Sequence, residues 1–252
     1  MKRITAALPF ILLGVLVPGL LFAQSIPSVS LSVGGVAGPN QISSTLQILL
    51  MITILSLAPS IVVAMTSFTR FIIVFSLLRH AMGTTAVPPN QIVVGLALFM
   101  SFIVMAPTIK RINEEALQPF TRNEITQADA LKAAAKPIQE FMLKHTREKD
   151  LALFVSLISK DKPKNKDDIS LMHIIPAYII SELKTGFQIG FMVYLPFLVI
   201  DIVVASILLA MGMLVLPPPV ISLPFKLMLF VLIDGWNLIV GSLVKSFEAG
   251  AS

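Results

Sequence analysis

The chain has 252 residues, 56% of them hydrophobic and 13% charged, and a mean hydropathy of +0.88. That excess excludes an ordinary soluble globular domain. The formal net charge of +5 does not indicate a nucleic-acid binder, because 24 of the 33 charged residues fall between Lys110 and Lys184, where 13 Lys/Arg are interleaved with 11 Asp/Glu as on a solvated face. The absence of cysteine removes disulfides, thiolate metal sites and thiol nucleophiles.

Lys2-Arg3, an apolar run from Ile4 to Val17, the Pro18-Gly19 break and Ala23 predict a secretory signal peptide over residues 1–23, with an uncleaved first membrane helix as the other reading. Ser, Gly, Pro and Asn dominate residues 24–45, which predicts a flexible exported lead-in. Four apolar segments follow: Leu46–Leu78 with 33 residues, Gln91–Ile109 with 19, Gly186–Leu216 with 31 and Val220–Val244 with 25. About 20 residues cross a bilayer. The first and third segments would extend roughly 45–50 Å as straight helices, so they must kink, tilt or run on beyond the lipid.

The expected fold is all-α and membrane-associated. Two apolar helical hairpins, residues 46–109 and 186–252, flank an inserted amphipathic helical segment, 110–185. A leader sends residues 24–45 to the outer face, and two spans later 110–185 lies outside again. The basic excess of that segment opposes this orientation, but charge rules are weak for loops so long, whereas the short loop with Arg79 and His80 falls inside as expected. In the inserted segment, Thr126–Thr146 reads as a helix with Thr126 and Asp129 at capping-box spacing and a kink at Pro137. Glu148–Ser159 reads as a second helix, Lys160–Asp168 as a charged linker, and Asp167 or Asp168 as the cap of a third helix.

No catalytic constellation emerges. His80, His145 and His173 are dispersed, none at metal-ligand spacing, and read as polar-face or helix-end residues. Neither a phosphate loop nor a seryl elbow is present, and the sequence gives no cofactor or metal site. More informative are Arg70, Asp201, Lys226 and Asp234, set within apolar runs where each would cost about 2.5–3.5 kcal/mol at a bilayer centre. Two readings stand: a proton or ion relay, or ion pairs that fix packed helices or subunits. Lys226 and Asp234, about 12 Å apart along one helix, need partners on other helices or chains.

Two further features stand out. Glu182 and Lys184 immediately precede Gly186-x-x-x-Gly190, whose smooth face suits close helix contact. Met211-Gly212-Met213-Leu214-Val215-Leu216 then runs into Pro217-Pro218-Pro219, which stops the helix. Gly212 is expected to loosen the backbone between two deformable methionines, either as ordinary packing at a helix end or as a closure that yields to cargo.

Ser67-Phe68-Thr69-Arg70, the run Pro176–Phe191, Pro196-Phe197-Leu198-Val199-Ile200-Asp201, Leu223-Pro224-Phe225-Lys226-Leu227-Met228 and Val231-Leu232-Ile233-Asp234-Gly235-Trp236 occur in one order. Together they resemble the FliP family, the flagellar subunit of the bacterial type III export gate, over roughly Leu46 to Phe247. The resemblance implies several copies of the chain joined by two smaller export-gate subunits in a closed-off ring. That ring would sit in the inner membrane at the flagellar basal body, among other export-apparatus membrane proteins, and pass unfolded flagellar proteins outward. It implies a gasket in which Met213 matches the first position, with Leu214 and Val215 replacing methionines and Met211 available to share the duty. It also implies a subunit contact at Glu182, and no catalysis. Two rivals are a proton-coupled small-molecule carrier using Asp201, Lys226 and Asp234, which calls for paired repeats the sequence lacks, and a purely structural membrane scaffold.

Overall fold

The computed structural model describes residues 39–84, 87–158, 169–213 and 215–249. The expected signal peptide, the first part of the lead-in, the linker Lys160–Asp168 and Leu214 lie outside the described residues. Among the described residues the regular structure is entirely helical: α1 Pro39–Met65, α2 Phe68–Ala81, α3 Asn90–Ile112, a π-helical turn Asn113–Leu117, α4 Gln118–Thr121, α5 Gln127–His145, α6 Glu148–Ile158, α7 Leu171–Ala210, α8 Pro218–Leu232 and α9 Gly235–Glu248.

The chain divides into two compact units between Ile52 and Thr53. Of the first, the described part is the opening of α1. That helix starts at Pro39, inside the expected lead-in, and a proline suits a first helical turn because its missing N–H has no partner there anyway. All other contacts below belong to the second unit.

The anticipated four long apolar helices are not what forms. The first apolar segment breaks at Thr66-Ser67, between α1 and α2, and the Tyr178 hydroxyl of α7 donates to the freed Thr66 carbonyl at 2.9 Å. The fourth breaks at Ile233-Asp234, where α8 and α9 meet at 63°. The third does the opposite. It joins the amphipathic run before it in one 40-residue helix, α7, uninterrupted by Pro176 or Pro196. By length and composition, two helices among the described residues can cross a membrane, Asn90–Thr121 and Leu171–Ala210, with the bent α8–α9 pair a third if it counts as one.

Short α2 is the hub. Phe71, Val74 and Phe75 on it meet Val93, Ala97 and Met100 of α3 and Leu243 and Phe247 of α9 in one buried cluster. One turn on, Leu78 and Ala81 pack with Phe197 of α7 and Phe230 of α8. A separate cluster of Met142, Ile169, Ile174 and Tyr178 seats α5 on the start of α7. Thr126 caps α5, accepting from the Asp129 N–H at 3.3 Å, and Pro137 lies within that helix. The third helix of the inserted segment is capped not by Asp167 or Asp168 but by Ser170. Its extended backbone turns the hydroxyl to accept from the Met172 N–H at 3.3 Å.

Candidate functional site

Arg70 and Glu182 meet at the centre of the second unit. Arg70 Nε donates to Glu182 Oε2 at 2.8 Å and Nη2 donates to Oε1 at 2.5 Å, a two-pronged geometry available to a guanidinium but not to a lysine. The third nitrogen, Nη1, donates to Ser246 Oγ at 2.9 Å, and the guanidinium carbon sits 3.7 Å from the centre of the Phe247 ring. Three helices, α2, α7 and α9, are thereby fastened at one cation. Glu182 has no exposed surface in its own chain. Within its own chain the carboxylate is enclosed and paired with the guanidinium, which offsets the cost of burying either charge.

A second clamp ties α7 to α8. Lys226 Nζ donates to Asp201 Oδ2 at 2.6 Å and to the Ala81 carbonyl, at the end of α2, at 3.2 Å. Ser222 Oγ donates to the other Asp201 oxygen at 2.5 Å. Lys226 is buried and Asp201 partly so. Both clamps close within the protomer, so the charges that would be costly in lipid are neutralised where they sit.

Asp234 does not belong with them. It is exposed, has left-handed backbone angles (φ 50°, ψ 53°) and occupies the position just before α9 without capping it through its side chain. Asp is among the few residues that tolerate this conformation, and it stands at the break between α8 and α9. The following Gly235 is forced by proximity, since a Cβ there would stand 2.3 Å from Phe230 Cδ2.

Gly186 and Gly190 lie against α2. A Cβ at Gly186 would approach Ile73 Cβ to 3.2 Å, and one at Gly190 would approach Leu77 Cδ1 to 2.3 Å. The pair thus brings α7 onto α2 at the level of the Arg70–Glu182 clamp. Lys184, by contrast, is exposed.

At the other end of α7 the methionine turn is open. Met211 is 66% exposed, Met213 40% and Val215 95%. Gly212 turns the backbone out of α7 ahead of the prolines. Gly212 has φ +73°, its N–H bonds Leu209 O at 3.0 Å, and the Met213 N–H bonds Leu208 O at 2.9 Å. These are the paired bonds of a left-handed glycine cap.

His145 carried no signal in sequence beyond its place at a helix end. It is buried, not on a polar face, with Nδ1 2.7 Å from Phe141 O and Nε2 2.9 Å from Phe247 O, joining α5 to α9 next to the Arg70 clamp. Ser67, Ser181 and Ser222 are likewise fully buried hydrogen-bonding residues that apolar periodicity does not reveal. On the inserted segment, Arg111 Nη1 donates to Glu140 Oε2 at 2.6 Å and Nε to Glu115 Oε1 at 2.9 Å, which holds the Glu140 carboxyl below the usual carboxylate range.

The model of the FliP family matches residues 51–243. The flagellar biosynthetic protein FliP of Bacillus subtilis is 56% identical over 209 residues, covering 83% of this chain and 95% of that protein. Its namesake in Aquifex aeolicus is 49% identical over 236 residues, 93% of this chain and 97% of the relative. That of Pectobacterium carotovorum is 47% identical over 251 residues, 97% and 96% of the two chains. With a family model spanning most of the chain and relatives matched nearly end to end, the chain belongs to the FliP family.

Proposed function

We propose that this chain is a non-enzymatic, pore-forming core subunit of the flagellar type III protein export gate. Several copies assemble with other gate subunits to pass unfolded flagellar proteins across the inner membrane, with residues 24–45 and 110–185 facing the periplasm. The supporting observation is the mismatch between α7 and its own protomer. Its most apolar stretch is only 11% buried within the chain, and the methionine turn at its end is open. Such a surface calls for lipid or sister helices, and a single chain of this size cannot surround a polypeptide. Met211 and Met213, unbranched and held on a capped turn, suit a closure that deforms around cargo, with Leu214 and Val215 completing the constriction.

The carrier alternative is disfavoured by the Asp201–Lys226 pair, because the two groups neutralise one another at 2.6 Å, and Asp234 stands at the break between α8 and α9. The deciding experiment is photocrosslinking from position 211 or 213 while an export substrate is stalled in the assembled complex. Cargo adducts at those positions are expected, and adducts only to neighbouring subunits would leave a scaffold.

A further inference from the structure

His145 is sealed in the protein at 2% exposure, and neither clamp uses it. Both ring nitrogens face carbonyl oxygens, Nδ1 that of Phe141 at 2.7 Å and Nε2 that of Phe247 at 2.9 Å. A carbonyl oxygen only accepts. The neutral imidazole has one N–H, so it satisfies one of these carbonyls while its other nitrogen turns a lone pair on the second. The protonated ring has two N–H groups and satisfies both. Two contacts this short therefore suit a cation.

The second observation is where the two carbonyls come from. His145 is the last residue of α5 and Phe247 the last but one of α9, so two helix C-termini converge on one imidazole. Each brings the negative end of a helix dipole, which favours a cation. The Phe247 carbonyl is among the last four of α9 and has no partner along its own helix, so the ring supplies its cap. The side-chain charges nearby largely cancel. Arg70 of α2, stacked over the same Phe247 ring, is paired with Glu182 of α7, and Arg111 of α3 is paired with Glu140 of α5. Lys144 of α5 and Glu248 of α9 oppose one another in the wall of the adjoining cleft, and Arg147, two residues on, acts on Glu182. Burial alone would favour the neutral ring. Losing the proton, however, orphans one of the carbonyls, and the helix ends hold the charge in place.

We propose that His145 is a pH-operated latch, closed as the imidazolium that donates to both Phe141 and Phe247, and opened between α5 and α9 when the ring loses a proton. Phe141 is on the ring's own helix and stays beside it. Phe247 is 102 residues away and is the contact that yields. A cleft of about 530 Å³ bounded by α3, α5 and α9 has His145 in its wall, which gives protons a route to the ring. The sign follows from linkage: the latch contributes fully in acid, where the ring is charged in folded and unfolded chains alike, and its contribution is lost as pH rises through the titration of the folded ring. Opening also frees the end of α9, whose Ser246 and Phe247 hold the Arg70 guanidinium. The inference stands on the ring's geometry and not on the pore reading, so either can fail alone.

The test uses the full chain in its purified assembly, with the histidines labelled in their ring nitrogens and read by solid-state NMR as pH is raised from about 5. H80Q and H173Q assign the signal of His145 by subtraction. Hydrogen exchange at the ends of α5 and α9 is followed in the same samples, against amides in the middle of α2 as internal standard. A ring with two protons in acid is expected. Its loss of one on alkalinisation should coincide with a rise of about ten- to a hundredfold in relative exchange at both helix ends, the loss of one hydrogen bond from a charged donor. H145Q should show fast exchange at those ends at every pH, while H80Q and H173Q keep the parent's response. A single-proton ring wherever the chain is folded, a two-proton ring wherever it is folded, or loss of the proton without faster exchange would each overturn the latch. The parent alone decides these, so a poorly folded H145Q does not rescue the idea, and a folded H145Q with the parent's pH response also sinks it.

Discussion

Arg70 and Glu182 stand 112 positions apart in the chain, yet share two hydrogen bonds at 2.8 and 2.5 Å inside the protomer. Burying both ions costs several kcal/mol each in desolvation, offset only while both are present. Glu182→Ala should therefore destabilise the chain itself by about 3–5 kcal/mol, with any failure of assembly following from that. The double replacement Arg70→Met with Glu182→Leu should be less damaging than either single change. Unfolding in detergent measures both, and a Glu182→Ala chain as stable as the parent would refute the clamp.

The glycine seam predicts opposite signs for the same substitution. At Gly190 a Cβ meets Leu77 Cδ1 at 2.3 Å, and also Cβ at 3.1 Å and Cγ at 3.2 Å, so rotating the leucine does not clear the space. Gly190→Ala should lose about 1–3 kcal/mol to overpacking. Gly95, in α3, has nothing within 4 Å, and Gly95→Ala should gain up to about 1 kcal/mol of helix propensity. Thermal unfolding of the two variants side by side distinguishes them.

Asp201→Asn leaves a buried ammonium with the Ala81 carbonyl and a neutral amide in place of its counter-ion. The yield of assembled complex should fall by more than the pH dependence of export changes. A variant that assembles normally but shifts the pH profile would restore the relay reading.

Replacing Met211 and Met213 together by Ala removes flexible side chains from an ordered turn without touching the cap bonds at Gly212. In an otherwise assembled gate this should raise permeability to small ions. Liposome flux assays check it, and unchanged permeability argues against a gasket.

Glu140 contributes stability only where its carboxylate is ionised. Because Arg111 depresses its folded-state pKa, that contribution is present above the unfolded value and is lost as pH falls through the folded one. The pair is solvent-exposed, so Glu140→Gln should cost no more than about 0.5–1 kcal/mol at neutral pH. The difference from the parent should vanish in acid or at high salt, as read by unfolding at several pH values.

Helicity, the apolar runs, the Thr126 cap and the glycine spacing in Gly186-x-x-x-Gly190 could all be read before any fold was known. Each is written in residues within a turn or two of one another, and the rules for local backbone geometry suffice. Where the helices break could not be read that way. Leu46–Leu78 and Val220–Val244 look continuous in hydropathy, but the helices break at Thr66-Ser67 and Ile233-Asp234, where neighbouring elements, such as Tyr178 on Thr66 and Phe230 on Gly235, make the break favourable. The same holds for the charges. Apolar patterning marked Arg70, Asp201 and Lys226 as costly, but their partners Glu182 and Asp201, and the burial of His145 against Phe247, depend on which helices meet across stretches of 25 to 112 residues. Local periodicity carries no record of such pairings, since a buried charge is stabilised by whatever the folded chain brings to it.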